Sequence, residues 1–324
     1  MSIESVQTLI KDDFTAVNQK ILTALESDVV LINEIGKYIV YSGGKRIRPM
    51  IALLCARAAG YEGDKHITAA ALIEFIHTAT LLHDDVVDHS DMRRGKETAN
   101  EIWGNEAAVL VGDFIYTRSF QMMASLRSMP IMDILSEATN IIAEGEVMQL
   151  LNIGDPDTTE ENYMNVIYSK TAKLFEASGG VAGVIAREAG LPDHVDALSK
   201  YGMYLGTAFQ LIDDILDYTT TSDVMGKNTG DDLAEGKPTL PLIYAMRAGT
   251  EADAALIHDA LVNADISKLD AILEIISRTK SIYYTHNVAK EQAKLAIEAL
   301  KTLPDSEHKK ALEILANYAV DRTF

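Results

Sequence analysis

Residues 71–88 read ALIEFIHTATLLHDDVVD, and the fold follows from how this stretch is built. Leu72, Phe75, Ile76, Ala79 and Leu82 recur at spacings of three and four, the repeat of an α-helix. The other faces are nearly as apolar, so this helix belongs at the centre of the protein. It then ends in Asp84, Asp85 and Asp88. Asp84 and Asp88 share one helix face, and Asp85 sits three residues before Asp88. Carboxylates this close repel one another, and the negative end of the helix dipole adds to the cost. An acidic helix end on the surface would carry that cost uncompensated, whereas a bound cation neutralises it.

The same arrangement recurs in residues 204–218, YLGTAFQLIDDILDY, where Asp213, Asp214 and Asp217 repeat the spacing. Two copies on two apolar helices make coincidence a poor explanation. Hard oxygen donors at this density suit Mg²⁺, which keeps several waters and completes its shell with substrate phosphates. The pair of motifs therefore predicts a magnesium–diphosphate site facing across a cavity.

Outward from these helices the same period continues. Val6, Ile10, Phe14, Val17, Ile21 and Leu25 follow it, as do Ala143, Val147, Leu150 and Leu151, and later Ala293, Ile297 and Leu300. No stretch shows period-two alternation between hairpin turns, so no strand is expected. Gly43-Gly44, Gly154-Asp155-Pro156, Gly190-Leu191-Pro192 and Gly236-Lys237-Pro238 fall where helices should end. No linker or compositional shift divides the chain. The expectation is one all-α domain over residues 1–324, a helical bundle of ten or more helices around a central cavity.

Composition narrows the function. The chain has 324 residues, 48% hydrophobic and 24% charged, which excludes disordered and low-complexity classes. Its 29 basic residues against 48 acidic ones give −19, a surface that repels phosphate backbones, so no nucleic acid partner is expected. Cys55 is the single cysteine, which rules out a disulfide framework or a Cys-based zinc site. No apolar run approaches about 18 residues, and the N-terminus lacks a basic segment followed by an apolar one. A cytoplasmic protein without a membrane span is expected, with transient surface contact if its product is greasy.

Against the acidic trend, basic residues gather near the motifs: Lys45, Arg46 and Arg48; Arg93 and Arg94; Lys170 beside Thr171; Lys227; and Lys237. Arginine forks bind phosphate oxygens in pairs, and lysine supplies a compact charge. Any one of these could be a solvated surface group. As a set beside two aspartate clusters, they point to diphosphate.

These segments carry a family resemblance. GGKRIRP (43–49), HDDVVDHSDMRRG (83–95), the pair Lys170-Thr171, GTAFQLIDDILD (206–217) and GKNTGDDLAEGKPTLP (226–241) resemble, in order, the motifs of the trans-polyprenyl diphosphate synthases. The resemblance covers nearly the whole chain. Residues 71–88 and LVGDFIYTRSFQMM (110–123) look most like the family's bacterial octaprenyl diphosphate synthases. It implies the isoprenoid synthase fold, a homodimer, three Mg²⁺ ions, and two substrates, isopentenyl diphosphate and an allylic diphosphate such as farnesyl diphosphate. It further implies an all-trans octaprenyl product for a quinone side chain. Products from geranylgeranyl to solanesyl length are the alternative. A terpene cyclase of the same fold usually replaces the second aspartate motif, which is intact here.

By position, the resemblance gives Asp84 and Asp88 two of the ions and Asp213 the third, with Asp85, Asp214 and Asp217 in support. Lys45, Arg48, His77 and Arg94 match the groups that hold isopentenyl diphosphate. Arg93, Lys170, Lys227 and Lys237 match those on the allylic diphosphate. Lys170, Thr171 and Gln210 match residues around the allylic cation. No side-chain base is expected, since the released diphosphate takes the proton. For chain length, Thr80 lies about 6 Å and Ala79 about 7.5 Å below Asp84 along the helix. Both are small, Ile76 continues the wall, and Phe120 or Met123 on a facing helix is the expected tunnel floor.

Overall fold

A computed structural model of the chain describes residues 3–219 and 229–321. The elements run α1 (Ile3–Leu9), α2 (Lys11–Leu25), α3 (Val30–Tyr41), α4 (Ile47–Ala58) and α5 (Lys65–Val87). A hairpin of β1 (Met92–Arg93) and β2 (Lys96–Glu97) precedes α6 (Ala99–Trp103), α7 (Asn105–Ser125), α8 (Met129–Asn152) and α9 (Glu160–Ile167). Then come α10 (Lys173–Glu188), α11 (Val195–Thr219), α12 (Asp231–Ala234), α13 (Leu240–Ala248), α14 (Glu251–Val262), α15 (Leu269–Thr279), α16 (Ser281–Ala299) and α17 (Glu307–Val320). The protein is all-α, as its periodicity predicts.

Local chemistry sets the helix starts. Ser128 accepts a hydrogen bond from the Ile131 amide, and Pro130 occupies the first turn of α8, where its missing N–H costs nothing. Thr250 and Asp253 close a reciprocal capping box on α14.

Helices α5, α10 and α11 form the centre. In α10 every residue from Leu174 to Ala186 is buried except Glu176. Its backbone lies almost against that of α11: a Cβ on Gly179 would stand 2.0 Å from the Leu198 carbonyl oxygen, and one on Gly202 2.1 Å from that of Phe175. Only glycine at both contacts permits this approach. On the other side of the core, Asp13 of α2 takes two hydrogen bonds from Arg57 of α4, at 2.7 and 2.8 Å, and pairs with His66 of α5 at 3.0 Å. That cluster ties three helices together.

Besides two short 3₁₀ turns, Ile266–Lys268 and Leu300–Thr302, two segments depart from regular helix. Between α9 and α10, residues Tyr168–Ala172 form a π-turn, closed by the Lys173 N–H on the Tyr168 carbonyl. Such single wide turns rotate the residues they contain relative to the flanking helix. The second departure corrects the expectation that no strand forms. Met92 pairs with Glu97 and Arg93 with Lys96. Arg94 and Gly95 between them have φ of 54° and 72°, the left-handed pair of a tight hairpin. Two-residue strands have no alternation for a sequence to display. Among the described residues, no helix is long and apolar enough to cross a membrane.

Candidate active site

The last turns of α5 and α11 open into one cavity of about 440 Å³, walled further by α8, α9, the π-turn, the hairpin, Arg48 of α4 and residues 232–239. Asp84 and Asp88 line it from α5, and Asp213, Asp214 and Asp217 from α11. The i, i+4 spacing thus does what it predicts, placing both clusters at one space.

The six aspartates have separate surroundings. Asp84 lies 3.7 Å from the Lys170 ammonium, and Asp88 3.0 Å from that of Lys237. Asp213 is exposed to the cavity. Asp85 is 1% exposed and does not line the cavity; it takes a 2.6 Å hydrogen bond from Arg93 Nε and so aims that arginine. Asp217 accepts from the backbone amides of Asp231 and Asp232 at 3.1 and 3.2 Å, fastening the start of α12 beneath the second cluster. Asp214 accepts from Gln210 Nε2 at 2.8 Å and from the Tyr163 hydroxyl.

Burial lifts the Asp84 carboxyl above its usual range, and Asp88 adds to this while Lys170 opposes it. Burial, then the charge of Asp232, pushes Asp214 up to about 8. Glu146 of α8 is pushed up to about 7 by burial and by Asp84. A cavity whose carboxyls are driven toward neutrality by desolvation and by one another is suited to a divalent cation, which reverses both costs. Among the described residues, no three acidic, histidine or cysteine side chains converge as a ready cage. Mg²⁺ held by few carboxylates, with water and phosphate oxygens completing its shell, needs none.

Basic groups occupy the rest of the lining. Arg48, Arg93, Arg94, Lys170 and Lys237 all reach it. Burial lowers Arg48 to about 10, so it stays charged at neutral pH. Its Nη1 lies 3.1 Å from His77 Nε2, and its guanidinium sits 4.6 Å from the centre of the Phe175 ring. Burial foremost, then the neighbouring arginines, holds His77 well below its ordinary value, so it is neutral. Burial opposes the charge on Lys237, but Glu235 and Asp88 outweigh it and raise the ammonium. Arg94 donates to the Gly43 carbonyl. Thr171 donates to Gln210 Oε1 at 2.9 Å, and both line the cavity.

Several expected residues stand elsewhere. Lys45 is exposed outside the lining, its ammonium 3.3 Å from the Tyr318 hydroxyl. Lys227 lies outside the described residues. On α5 the lining stripe is His77, Thr80, Leu81, Asp84 and Asp88. Ala79 and Ile76 are off that stripe, buried in the core at 1% and 0% exposure. Met123 is buried as well. Phe120 is a correction: it is 37% exposed on α7, its ring edge against Tyr116, and it does not face the interior. The buried face of α7 runs through Ile115, Ser119 and Met122, and Phe120 falls outside it, which apolar character alone does not reveal.

Sequence reasoning also missed polar lining. Glu146 and Gln149, three apart on α8, both accept from Lys170, at 2.6 and 2.7 Å. The i, i+3 spacing was the available signal. Tyr163, two turns before Lys170, carried none, because its partner Asp214 lies 51 residues away.

The comparisons with known proteins agree with this geometry. The family described as polyprenyl synthetase matches residues 29–277. An octaprenyl diphosphate synthase of Haemophilus influenzae is 56% identical, with 100% of this chain and 98% of the relative covered. One from Escherichia coli is 57% identical, with 99% of each covered. A crystal structure of a polyprenyl synthase from Caulobacter crescentus, complexed with calcium and isoprenyl diphosphate, superposes with a TM-score of 0.95 at 40% identity, covering 99% of this chain and 98% of that one. With paired aspartate clusters and three arginines lining one cavity, and a family match over most of its length, the chain belongs to the polyprenyl synthetase family.

Proposed function

We propose that this enzyme condenses isopentenyl diphosphate repeatedly onto an allylic diphosphate, with farnesyl diphosphate as primer, giving all-trans octaprenyl diphosphate for a quinone side chain. The observation that carries the reading is the meeting of both aspartate clusters with Arg48, Arg93 and Arg94 in one cavity. Identity of 56–57% to octaprenyl diphosphate synthases supports the product length.

Asp84, Asp88 and Asp213 would hold three Mg²⁺ ions, which would supply positive charge to stabilise the diphosphate leaving group. Lys170, Lys237 and Arg93 hold the allylic diphosphate, with Lys227 joining them. Arg48, Arg94 and Lys45 take the diphosphate of isopentenyl diphosphate, with neutral His77 a hydrogen-bonding partner. Lys45 reaches it by swinging from Tyr318. Diphosphate departs, the allylic cation forms beside Thr171 and Gln210, the isopentenyl double bond attacks it, and the departed diphosphate accepts the proton lost. The tail grows past Thr80 into the apolar interior between α5 and α7, where Ile76, Ala79, Ile115 and Met123 are buried.

The chain acts in the cytoplasm as one domain and as a homodimer. Exposed Leu110 of α7 and Leu150 and Leu151 of α8, at 67%, 57% and 75%, support such pairing.

The test is turnover of the purified protein with farnesyl and isopentenyl diphosphates. Octaprenyl diphosphate by chromatography, lost with EDTA and restored by Mg²⁺, is expected. No transfer with any allylic primer would overturn the reading, and a single product of another length would overturn its octaprenyl part.

A further inference from the structure

The cavity wall contains a directed chain of hydrogen bonds. The Tyr163 hydroxyl donates to one oxygen of Asp214. Gln210 Nε2 donates to the other at 2.8 Å. The Gln210 amide is thereby fixed with its carbonyl oxygen toward the π-turn, where it accepts from Thr171 Oγ1 at 2.9 Å. Because Thr171 spends its proton on Gln210, the lone pairs of its oxygen are left for the cavity. All four side chains line that cavity, and Tyr163 is 4% exposed.

Direction is the property of interest. A glutamine amide has a donor end and an acceptor end, and its partners decide which faces where. Burial alone favours the neutral Asp214 carboxyl; with divalent cations bound beside it the carboxyl ionises and accepts at both oxygens while two donors face it. We propose that Tyr163 is a positioning residue that holds this polarity, so that the oxygens of Gln210 and Thr171, not the amide nitrogen, face the developing allylic cation. Without the phenol, one buried carboxyl oxygen of Asp214 loses its donor, which lets the carboxyl rotate and the amide turn. The cation then meets N–H dipoles of the wrong sign. Preoriented dipoles act where charge develops, so the effect falls on the chemical step and not on substrate binding. The inference rests on the prenyl-transfer reading above.

The experiment compares the unaltered enzyme with Tyr163→Phe, Thr171→Val and the double variant, using farnesyl and isopentenyl diphosphates with Mg²⁺. Tyr163→Phe should lower kcat roughly ten- to a hundred-fold, with both KM values within about twofold. The double variant should be no slower than the slower single one, since the two residues act through one chain. Thermal melting shows whether the phenol is merely structural. If Tyr163→Phe keeps its kcat, raises KM instead, or adds its full loss to that of Thr171→Val, the inference fails. If Tyr163→Phe proves unfolded, Tyr163→His, which can still donate, settles the matter: folded with kcat retained supports the proposal, and folded with kcat lost overturns it. Inactivity of the unaltered enzyme would instead refute the prenyl-transfer reading.

Discussion

Asp84 and Asp214 occupy adjacent places in two motifs of identical spacing, yet their surroundings give them different work. Asp84 faces the cavity with one ammonium at 3.7 Å, and burial and Asp88 both penalise its charge. Asp213 is exposed at the opposite motif. Neither is committed to holding the fold. Asp85, Asp214 and Asp217 are: one aims Arg93, one anchors Gln210, and one caps α12. Asp84→Ala and Asp213→Ala should therefore cut turnover by orders of magnitude while melting temperature stays level or rises slightly, because a repelling carboxylate has gone. Asp217→Ala should lower the melting temperature as well, having removed the acceptor for two backbone amides. Activity assays beside circular-dichroism melts of the three variants check this. Equal destabilisation in all three would show that the cavity-facing aspartates are structural.

Between elements, two contacts set how the helices sit, and each has a measurable signature. The first is the cluster of Asp13, Arg57 and His66. Burial alone would raise the Asp13 carboxyl, but hydrogen bonds from Arg57 and His66 outweigh it and hold it below the ordinary value. Burial foremost lowers His66, and the bond to Asp13 only partly opposes this. Both folded values lie below the unfolded ones, so both groups add stability at neutral pH and lose it as pH falls. The loss begins below about 6.5, as the unfolded histidine gains its proton first, and continues below about 4 through the carboxyl. Asp13→Asn should cost about 1–2 kcal/mol at pH 7, with the gap to the unaltered protein closing toward pH 3. Parallel curves of stability against pH would contradict the assignment. The second contact is the approach of α10 to α11. Gly202→Ala places a methyl group 2.1 Å from the Phe175 carbonyl oxygen, a backbone atom that has no rotamer by which to move aside. Overpacking of this kind should cost about 1–3 kcal/mol in urea unfolding. An unchanged midpoint would mean that the helices separate more readily than their packing suggests.

For the molecule as a whole, the helical class and both aspartate clusters were legible because each is local: a period of three to four, and acids within five residues. The Tyr163–Asp214 bond, the π-turn that presents Thr171, and the outward side of Phe120 depend on how distant helices rotate against one another, which no local spacing records. The same rotation decides where a growing tail runs, and two substitutions separate the routes. Thr80 lines the cavity one turn below Asp84, its hydroxyl bonded to the His77 carbonyl at 2.9 Å. Ala79 lies around the helix from it, at 1% exposure in the core. On the proposed route every tail longer than the primer passes Thr80, so Thr80→Phe should shorten the product whichever way the tail turns afterwards. Ala79→Tyr shortens it only if the tail enters between α5 and α7, where the phenol would occupy the path. Neither variant touches the aspartates and basic groups proposed to hold the diphosphates, so the first condensations should proceed at near-normal rate. Product length by chromatography at matched conversion distinguishes the outcomes. Shortening by both places the tail between α5 and α7. Shortening by Thr80→Phe alone moves it to the α8 side of the cavity, and full-length product from both would mean that the chain leaves without passing α5.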